Sequence, residues 1–243
     1  MRLSANLGFL FTHLPIADAI RAARDAGFDA VEFHDQPQSV PVLPLRAALE
    51  ETGLPVLSLN TFMGATKGRA ALSQPDFRTD FTAAQTAAEQ LRAGAIHVTA
   101  GIGGDAATYH ANLAHALAQS QCDILIEPIC AQAIPGYHLS NLAQAEAVLT
   151  SFDHPRLKLM FDWFHIANSI GAAAALDALA RLAPQIGHVQ LSHPRDRGAP
   201  LPDLMPELRD ILAGLRAHDL TTVGLEYHPS GAVAPVVAAL RAM

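Results

Sequence analysis

A short apolar run that ends in a carboxylate, Leu157-Lys158-Leu159-Met160-Phe161-Asp162, decides the fold of this chain. Its length and composition fit a strand that is buried on both faces, as a parallel sheet requires. Stretches with apolar residues at helical spacing lie on either side of it, at Leu142–Thr150 and Ala172–Leu182. The pattern therefore predicts one unit of a parallel α/β fold.

The same alternation of short apolar runs and amphipathic stretches continues along the whole chain. Further strands are predicted at Leu3–Phe9, Ala30–Phe33, Val56–Asn60, Ala95–Thr99, Ile124–Ile129, Ile186–Leu191 and Val223–Tyr227. Further helices are predicted at Ile16–Ala26, Leu43–Thr52, Phe77–Ala93, Ala111–Gln119, Leu204–Ala217 and Ala232–Met243. Eight such units of roughly 30 residues predict a closed (β/α)8 TIM barrel, with residues 1–243 as its single domain. A doubly wound open sheet is the alternative, but Ala106 stands where a GxGxxG loop after the fourth strand needs its last glycine.

Composition excludes several classes of protein. The net charge of −7 gives no support to nucleic-acid binding, which needs a basic face. No apolar run reaches the ~18–20 residues that span a bilayer. Cys122 and Cys130 form neither a disulfide framework nor a CxxC motif. The N-terminus enters a strand with no signal-peptide pattern, so a cytoplasmic protein without a membrane partner is expected.

Carboxylates end three of the predicted strands, at Glu127, Asp162 and Glu226, and Gln190 lies on a fourth. In a (β/α)8 barrel the carboxyl ends of the strands form the active site. Carboxylates that converge there repel one another unless a positive charge lies among them. The oxygen-rich set predicts one divalent metal ion, Mg²⁺ or Mn²⁺. Zinc is less favoured because no imidazole or thiolate is evident among the ligands.

Each residue also has a simpler interpretation. A single acidic residue at a strand end is more often a helix N-cap or a salt-bridge partner than a ligand. His165, at the strand end or in the loop after Asp162, is either a substrate contact or a structural partner. Glu32 and His34 line the same cavity or form a core salt bridge. Arg195 and Arg197 suit recognition of an anionic substrate, or are solvated loop residues.

Several motifs occur in order along the chain and resemble those of hydroxypyruvate isomerases, in the xylose-isomerase-like superfamily of sugar isomerases and epimerases. The motifs are Ser4–Leu7, Gly27–Phe33, Glu127–Ile129, Pro135–Leu139, Asp162–His165, Gly187–Gln190 and Gly224–Tyr227. The resemblance implies that Glu127, Asp162, Gln190 and Glu226 hold the metal ion. It also implies that Glu127 and Glu226 are the catalytic acid/base pair, and that His165 and Arg197 contact the substrate.

The implied reaction interconverts hydroxypyruvate and tartronate semialdehyde through an enediolate, with Arg197 holding the carboxylate. We count Asn60 and Glu32, at other strand ends, as further substrate-binding candidates. The family also allows a homo-oligomer. Three departures from its pattern leave the substrate open: a short loop after strand 3 without tryptophan, Cys130 in place of an asparagine, and the sequence Gly198–Asp203 after strand 7.

Four other functions remain open. A 2-oxotetronate isomerase or a ketose 3-epimerase of the same superfamily would use the same site. An apurinic-site endonuclease shares the fold, but the acidic composition argues against it. A non-catalytic sugar-acid binding protein would keep the barrel without turnover. The ketose epimerase differs from the acid isomerases in one respect: its substrate is uncharged, so it would not need an arginine to bind a substrate carboxylate.

Overall fold

The computed structural model describes residues 1–201 and 203–243 of the chain. Within them, eight strands form a closed barrel in which each strand pairs in parallel with its neighbours and β8 returns to β1. The strands are β1 Arg2–Asn6, β2 Ala30–Phe33, β3 Val56–Asn60, β4 Ala95–His97, β5 Asp123–Ile126, β6 Leu157–Asp162, β7 Ile186–Leu191 and β8 Thr222–Leu225. The predicted (β/α)8 TIM barrel is therefore confirmed.

Helices surround the barrel and cover its outer face. In the described part of the chain they are α1 Ile16–Asp25, α2 Val42–Thr52, α3 Gln74–Leu91, α4 Ala106–Gln119, α5 Leu142–Phe152, α6 Trp163–Ile170, α7 Ala172–Leu182, α8 Leu208–Ala217 and α9 Ala234–Arg241, with 3₁₀ turns at Gln36–Gln38 and Ala183–Gln185. One continuous apolar core joins the helices to the outward-facing strand residues. No helix among the described residues is both long enough and apolar enough to cross a membrane.

Several predicted strands end earlier than the sequence pattern suggested. Strand β1 stops at Asn6 because the Asn6 side-chain oxygen accepts a hydrogen bond from the Gly8 backbone at 2.9 Å and the chain turns. Strand β5 stops at Ile126 and β8 at Leu225, so Glu127 and Glu226 directly follow their strands. These early ends place both glutamates at the opening of the barrel.

The pattern missed helix α6, which follows β6 without an intervening loop. The Asp162 carboxylate caps it by accepting a hydrogen bond from the Phe164 backbone at 2.8 Å. The expected place of His165, at the strand end or in a loop, was therefore wrong: His165 lies in the first turn of α6. The helix start turns the imidazole toward Asp162, with the His165 Nε2 to Asp162 Oδ2 distance at 3.6 Å.

Candidate active site

Three buried residues meet at the carboxyl ends of β5 and β6. Glu127, Asp162 and His165 each offer a ligand atom, and these atoms lie within 4.8 Å of one another. The His165 Nε2 atom is 3.7 Å from Glu127 Oε1. An imidazole thus belongs to the group, which the sequence reasoning did not count as a ligand. With His165 in the group, the site does contain an imidazole of the kind that zinc binds, contrary to what the sequence indicated.

Arg197 joins the carboxylates of two different strands. Its Nη2 atom donates to Asp162 Oδ2 at 3.0 Å and lies 2.9 Å from Glu226 Oε1. Its Nη1 atom is 3.1 Å from His165 Nε2. Arg197 lies in the loop after β7 in the left-handed backbone region, with φ at 54°. The guanidinium is therefore held deep in the site and is already paired with two carboxylates.

Two of the buried carboxylates, Asp162 and Glu127, have raised pKa values, which favour their protonated forms. Burial raises the pKa of Asp162 to about 7, although the Arg197 charge opposes the shift. Burial, followed by the charges of Asp162 and Glu226, raises the pKa of Glu127 well above its usual range. One guanidinium does not compensate three buried carboxylates, and a divalent cation would supply the missing positive charge.

Gln190 provides a specific test of whether the residues fit a metal ion. Gln190 lies directly beside Asp162 in the register of β7 and β6. Its amide nitrogen donates to Glu32 Oε1 at 2.7 Å, and its amide oxygen is buried without a hydrogen-bond partner among the described residues. An unpartnered buried amide oxygen is costly unless something binds it. The donor set of carboxylates and this oxygen fits a divalent ion.

Glu32 lies in the barrel interior and does not line the cavity. It is 1% exposed, and its Oε2 atom lies 2.6 Å from His188 Nε2. Burial by itself raises the pKa of Glu32, but the His188 charge and the hydrogen bonds from His188, Gln190 and Asn6 hold it below its usual value. Of the two interpretations that the sequence left open for Glu32, the structure shows the core salt bridge, because both oxygens are occupied by core partners.

Asn60 and His97 form a pair at the ends of the neighbouring strands β3 and β4. The Asn60 side-chain oxygen is 3.1 Å from His97 Nδ1, and His97 Nε2 is 3.6 Å from Glu127 Oε2. Burial, with the charges of His34 and His188 adding to it, lowers the pKa of His97 to about 3. His97 is therefore neutral near pH 7. Its place at the end of β4 was the one sequence signal that could have added it to the site.

A cavity of about 390 Å³ opens above these residues. Five of the residues selected from the sequence line it: Asn60, Glu127, His165, Arg197 and Glu226. Asp162, Gln190 and Glu32 lie outside its lining. His34, for which the sequence left open a place in this cavity, also lines it. Residues not selected from the sequence complete the wall, among them Phe9, Lys67, His97, Ile129 and His228. The space is large enough for a small molecule that would contact both candidate catalytic glutamates.

A closed parallel barrel with titratable groups gathered at the carboxyl ends of its strands defines a TIM-barrel enzyme. The chain belongs to the xylose isomerase-like TIM barrel family, because the family model of that description matches residues 20–243.

Several similar proteins are isomerases by name. The chain is 33% identical over 214 residues to a Caenorhabditis elegans protein named "Putative hydroxypyruvate isomerase", covering 82% of this chain and 80% of that protein. It is 34% identical over 215 residues to a Cupriavidus necator 2-oxo-tetronate isomerase, covering 82% of each. The resemblance to hydroxypyruvate isomerases is therefore confirmed, and the chain is an enzyme of the isomerase type.

Solved structures share the fold. A crystal structure described as an AP endonuclease, family 2, from Brucella melitensis superposes with a TM-score of 0.88. The two chains are 25% identical, and the match covers 98% of this chain and 96% of the other.

Proposed function

We propose that the chain is a divalent-metal-dependent isomerase that interconverts hydroxypyruvate and tartronate semialdehyde. The observation that carries this proposal is that Glu127 and Glu226 line one small cavity, while the unpartnered Gln190 oxygen belongs to the strand partner of Asp162. A 2-oxotetronate isomerase is the second candidate, favoured by the similarity to the protein of that name from Cupriavidus necator.

The reaction moves a proton between neighbouring carbons. One glutamate takes the proton from the hydroxyl-bearing carbon, and the other delivers a proton to the neighbouring carbonyl carbon. A second proton passes from the hydroxyl oxygen to the former carbonyl oxygen, so that the atoms balance. Glu127 and Glu226 follow different strands and both line the cavity, which suits a two-residue transfer.

The other residues bind and orient the substrate. His165 is held neutral, because burial and the nearby Arg197 charge lower its pKa well below the usual value. A neutral imidazole and the Arg197 guanidinium are suited to hydrogen bonds with substrate oxygens. Asn60 lines the wall beside Glu127 and is a further contact.

Glu127, Asp162, Gln190 and Glu226 would hold the metal ion, with His165 as an additional donor. Such an ion, Mg²⁺ or Mn²⁺, would stabilise the negative charge that develops on the substrate oxygens during proton transfer. The Asp162 carboxylate also caps α6, so that the ligand position is fixed by backbone structure.

Metal-stripped protein assayed with hydroxypyruvate, with and without added Mg²⁺ or Mn²⁺, tests this function. We expect turnover only with metal, and a fall of about 10²-fold or more in kcat for Glu127→Gln and for Glu226→Gln. Glu50→Gln, an exposed carboxylate paired with Arg46, is the matched control and keeps the activity. Metal-dependent turnover of 2-oxotetronate alone would shift the conclusion to the second candidate. Absence of metal binding would refute the proposal.

A further inference from the structure

The barrel interior contains a hydrogen-bond network that surrounds the Glu32 carboxylate. Its Oε1 atom accepts hydrogen bonds from the Asn6 amide nitrogen at 3.1 Å and from the Gln190 amide nitrogen at 2.7 Å. Its Oε2 atom accepts from His188 Nε2 at 2.6 Å. These partners come from β1 and β7, while Glu32 lies on β2. A single carboxylate thus links three strands beneath the candidate metal site.

Gly224 on β8 leaves the space that this carboxylate needs. A Cβ atom at position 224 would lie 2.5 Å from Glu32 Oε2, a distance that non-bonded atoms do not adopt. Gly224 is the strand partner of Gln190, and Glu32 is the strand partner of Asn6. The network therefore depends on a glycine at position 224 of β8, because any side chain there would collide with the Glu32 carboxylate.

The network fixes the orientation of the Gln190 amide. An ionised carboxylate only accepts hydrogen bonds, so the Gln190 NH₂ group must face Glu32. The Gln190 oxygen then points the other way, where no described residue donates to it. Because Gln190 is the strand partner of Asp162, its oxygen lies at the level of the candidate ligands. A reversed amide would place its nitrogen there, and nitrogen bearing two hydrogens does not bind a cation.

We propose that Glu32 is a positioning residue that orients the Gln190 amide oxygen toward the divalent ion, in a space kept open by Gly224. This inference rests on the proposed function, because it concerns the same metal site. This positioning role replaces the substrate contact that the sequence suggested for Glu32. Outer partners that orient a ligand in this way contribute a factor of about 10–100 to metal affinity.

Isothermal titration of metal-stripped protein with Mn²⁺ alone measures the effect without using activity. We expect Glu32→Gln to weaken Mn²⁺ binding by about tenfold or more, because a neutral amide at position 32 accepts either orientation of Gln190. Asp29→Asn, which removes a carboxylate bound to the Leu3 backbone and Arg241 just before β2, is the matched control with unchanged affinity. Urea unfolding of each variant shows that it is folded.

A double-mutant comparison separates positioning from a general structural effect. Gln190→Ala weakens Mn²⁺ binding, and we expect Glu32→Gln to add no further loss in that background. Additive losses, or a folded Glu32→Gln with the affinity of the unaltered protein, overturn the inference. If Glu32→Gln does not fold, Glu32→Asp makes a smaller change, and its unchanged affinity overturns the inference in the same way. Failure of the unaltered protein to bind Mn²⁺ refutes the proposed function itself.

Discussion

Arg197 Nη2 lies 3.0 Å from Asp162 Oδ2, so that a loop after β7 contacts the residue that ends β6. The same nitrogen lies 2.9 Å from Glu226 Oε1, which follows β8. The guanidinium also packs between two aromatic rings, 4.7 Å from the centre of Phe9 and 4.8 Å from that of Phe164. Its position is therefore fixed by ion pairs with two carboxylates and by cation–π contacts with two aromatic rings. One side chain holds together carboxylates that would otherwise repel.

Replacing Arg197 is expected to destabilise the metal-free protein. Arg197→Met leaves two buried carboxylates without their partner, which costs about 3 kcal/mol of unfolding free energy. Urea unfolding in a chelating buffer measures this loss, and added Mn²⁺ is expected to recover part of it. Arg195→Met, an exposed neighbour two residues earlier in the same loop, is the control and is expected to leave the midpoint unchanged. Equal midpoints for both variants would contradict the pairing.

Asp162 is expected to contribute stability to the metal-free protein that is lost as pH rises, opposite in sign to the contribution of the buried neutral histidines His97 and His165. Burial raises the pKa of Asp162 from 3.8 to about 7 in the folded state, so the folded protein binds this proton more tightly than the unfolded chain. The resulting stabilisation is complete below pH 3.8 and is lost as the pH rises through 7. Urea midpoints at pH 5 and pH 8 test this. Relative to the unaltered protein, Asp162→Asn should shift the change in midpoint from pH 5 to pH 8 toward greater stability at pH 8, whereas Asp105→Asn, an exposed helix cap, should leave that change as it is. A pH dependence unaltered by Asp162→Asn would be evidence against a raised pKa at that residue.

Cys130 is expected to be unreactive in the folded protein. Its sulfur lies 3.4 Å from His165 Nδ1, but the thiol is buried and burial raises its pKa, which reduces the thiolate form that reacts. Iodoacetamide followed by peptide mass spectrometry should modify Cys130 only after unfolding in urea. Cys130→Ala should retain most of the activity, because the residue fills space and supplies no nucleophile. Rapid modification of Cys130 in the native protein would overturn this interpretation.

The barrel was predictable because its units are local. Each strand is a short apolar run, and each long helix shows its own periodicity, so no distant contact is needed to recognise either one. The ends of the strands were less predictable. Leu7 and Phe9 continue the apolar run after Asn6 because they pack into the core and the cavity, not because they extend β1. Helix α6 has only eight residues and begins directly after Asp162, the last residue of β6, so it shows too few turns for its periodicity to be recognised. That residues 1–243 form one domain stays a prediction.

The candidate site was predictable only in part. Glu127, Asp162 and Glu226 could be found because strand ends converge in a barrel, whatever the tertiary details. The partner of Gln190 could not, since Glu32 is 158 residues away in sequence and only barrel closure brings the two together. The same limit applies to Arg197, whose place between Asp162 and Glu226 depends on a loop conformation. Whether the protein forms a homo-oligomer also stays a prediction.

Lys67 is expected to contribute to recognition of the substrate carboxylate. Lys67 and Arg197 both line the cavity and both carry a positive charge. The Arg197 guanidinium is already paired with Asp162 and Glu226, whereas these carboxylates do not pair with Lys67. The segment around Lys67 is held in place, because the Ile102 backbone donates to the Thr66 oxygen at 2.8 Å. Lys67 is exposed and lines the cavity, so its ammonium is free of those carboxylate pairings and suited to attract the carboxylate of a substrate.

The chain offers a direct comparison, since Lys67 and Lys158 are its two lysines. Lys67→Met should raise the KM for hydroxypyruvate about tenfold, the loss of one charged hydrogen bond. It should leave the KM for dihydroxyacetone, which has a hydroxymethyl group in place of the carboxylate, nearly unchanged. Lys158→Met, whose ammonium donates to the Pro184 backbone oxygen away from the cavity, should change neither value. Lys67→Arg should restore most of the lost affinity, because it returns the charge. If Lys67→Met raises the KM for both substrates equally, Lys67 shapes the loop and does not bind the substrate carboxylate. If it changes neither KM, Arg197 alone supplies the positive charge for that carboxylate.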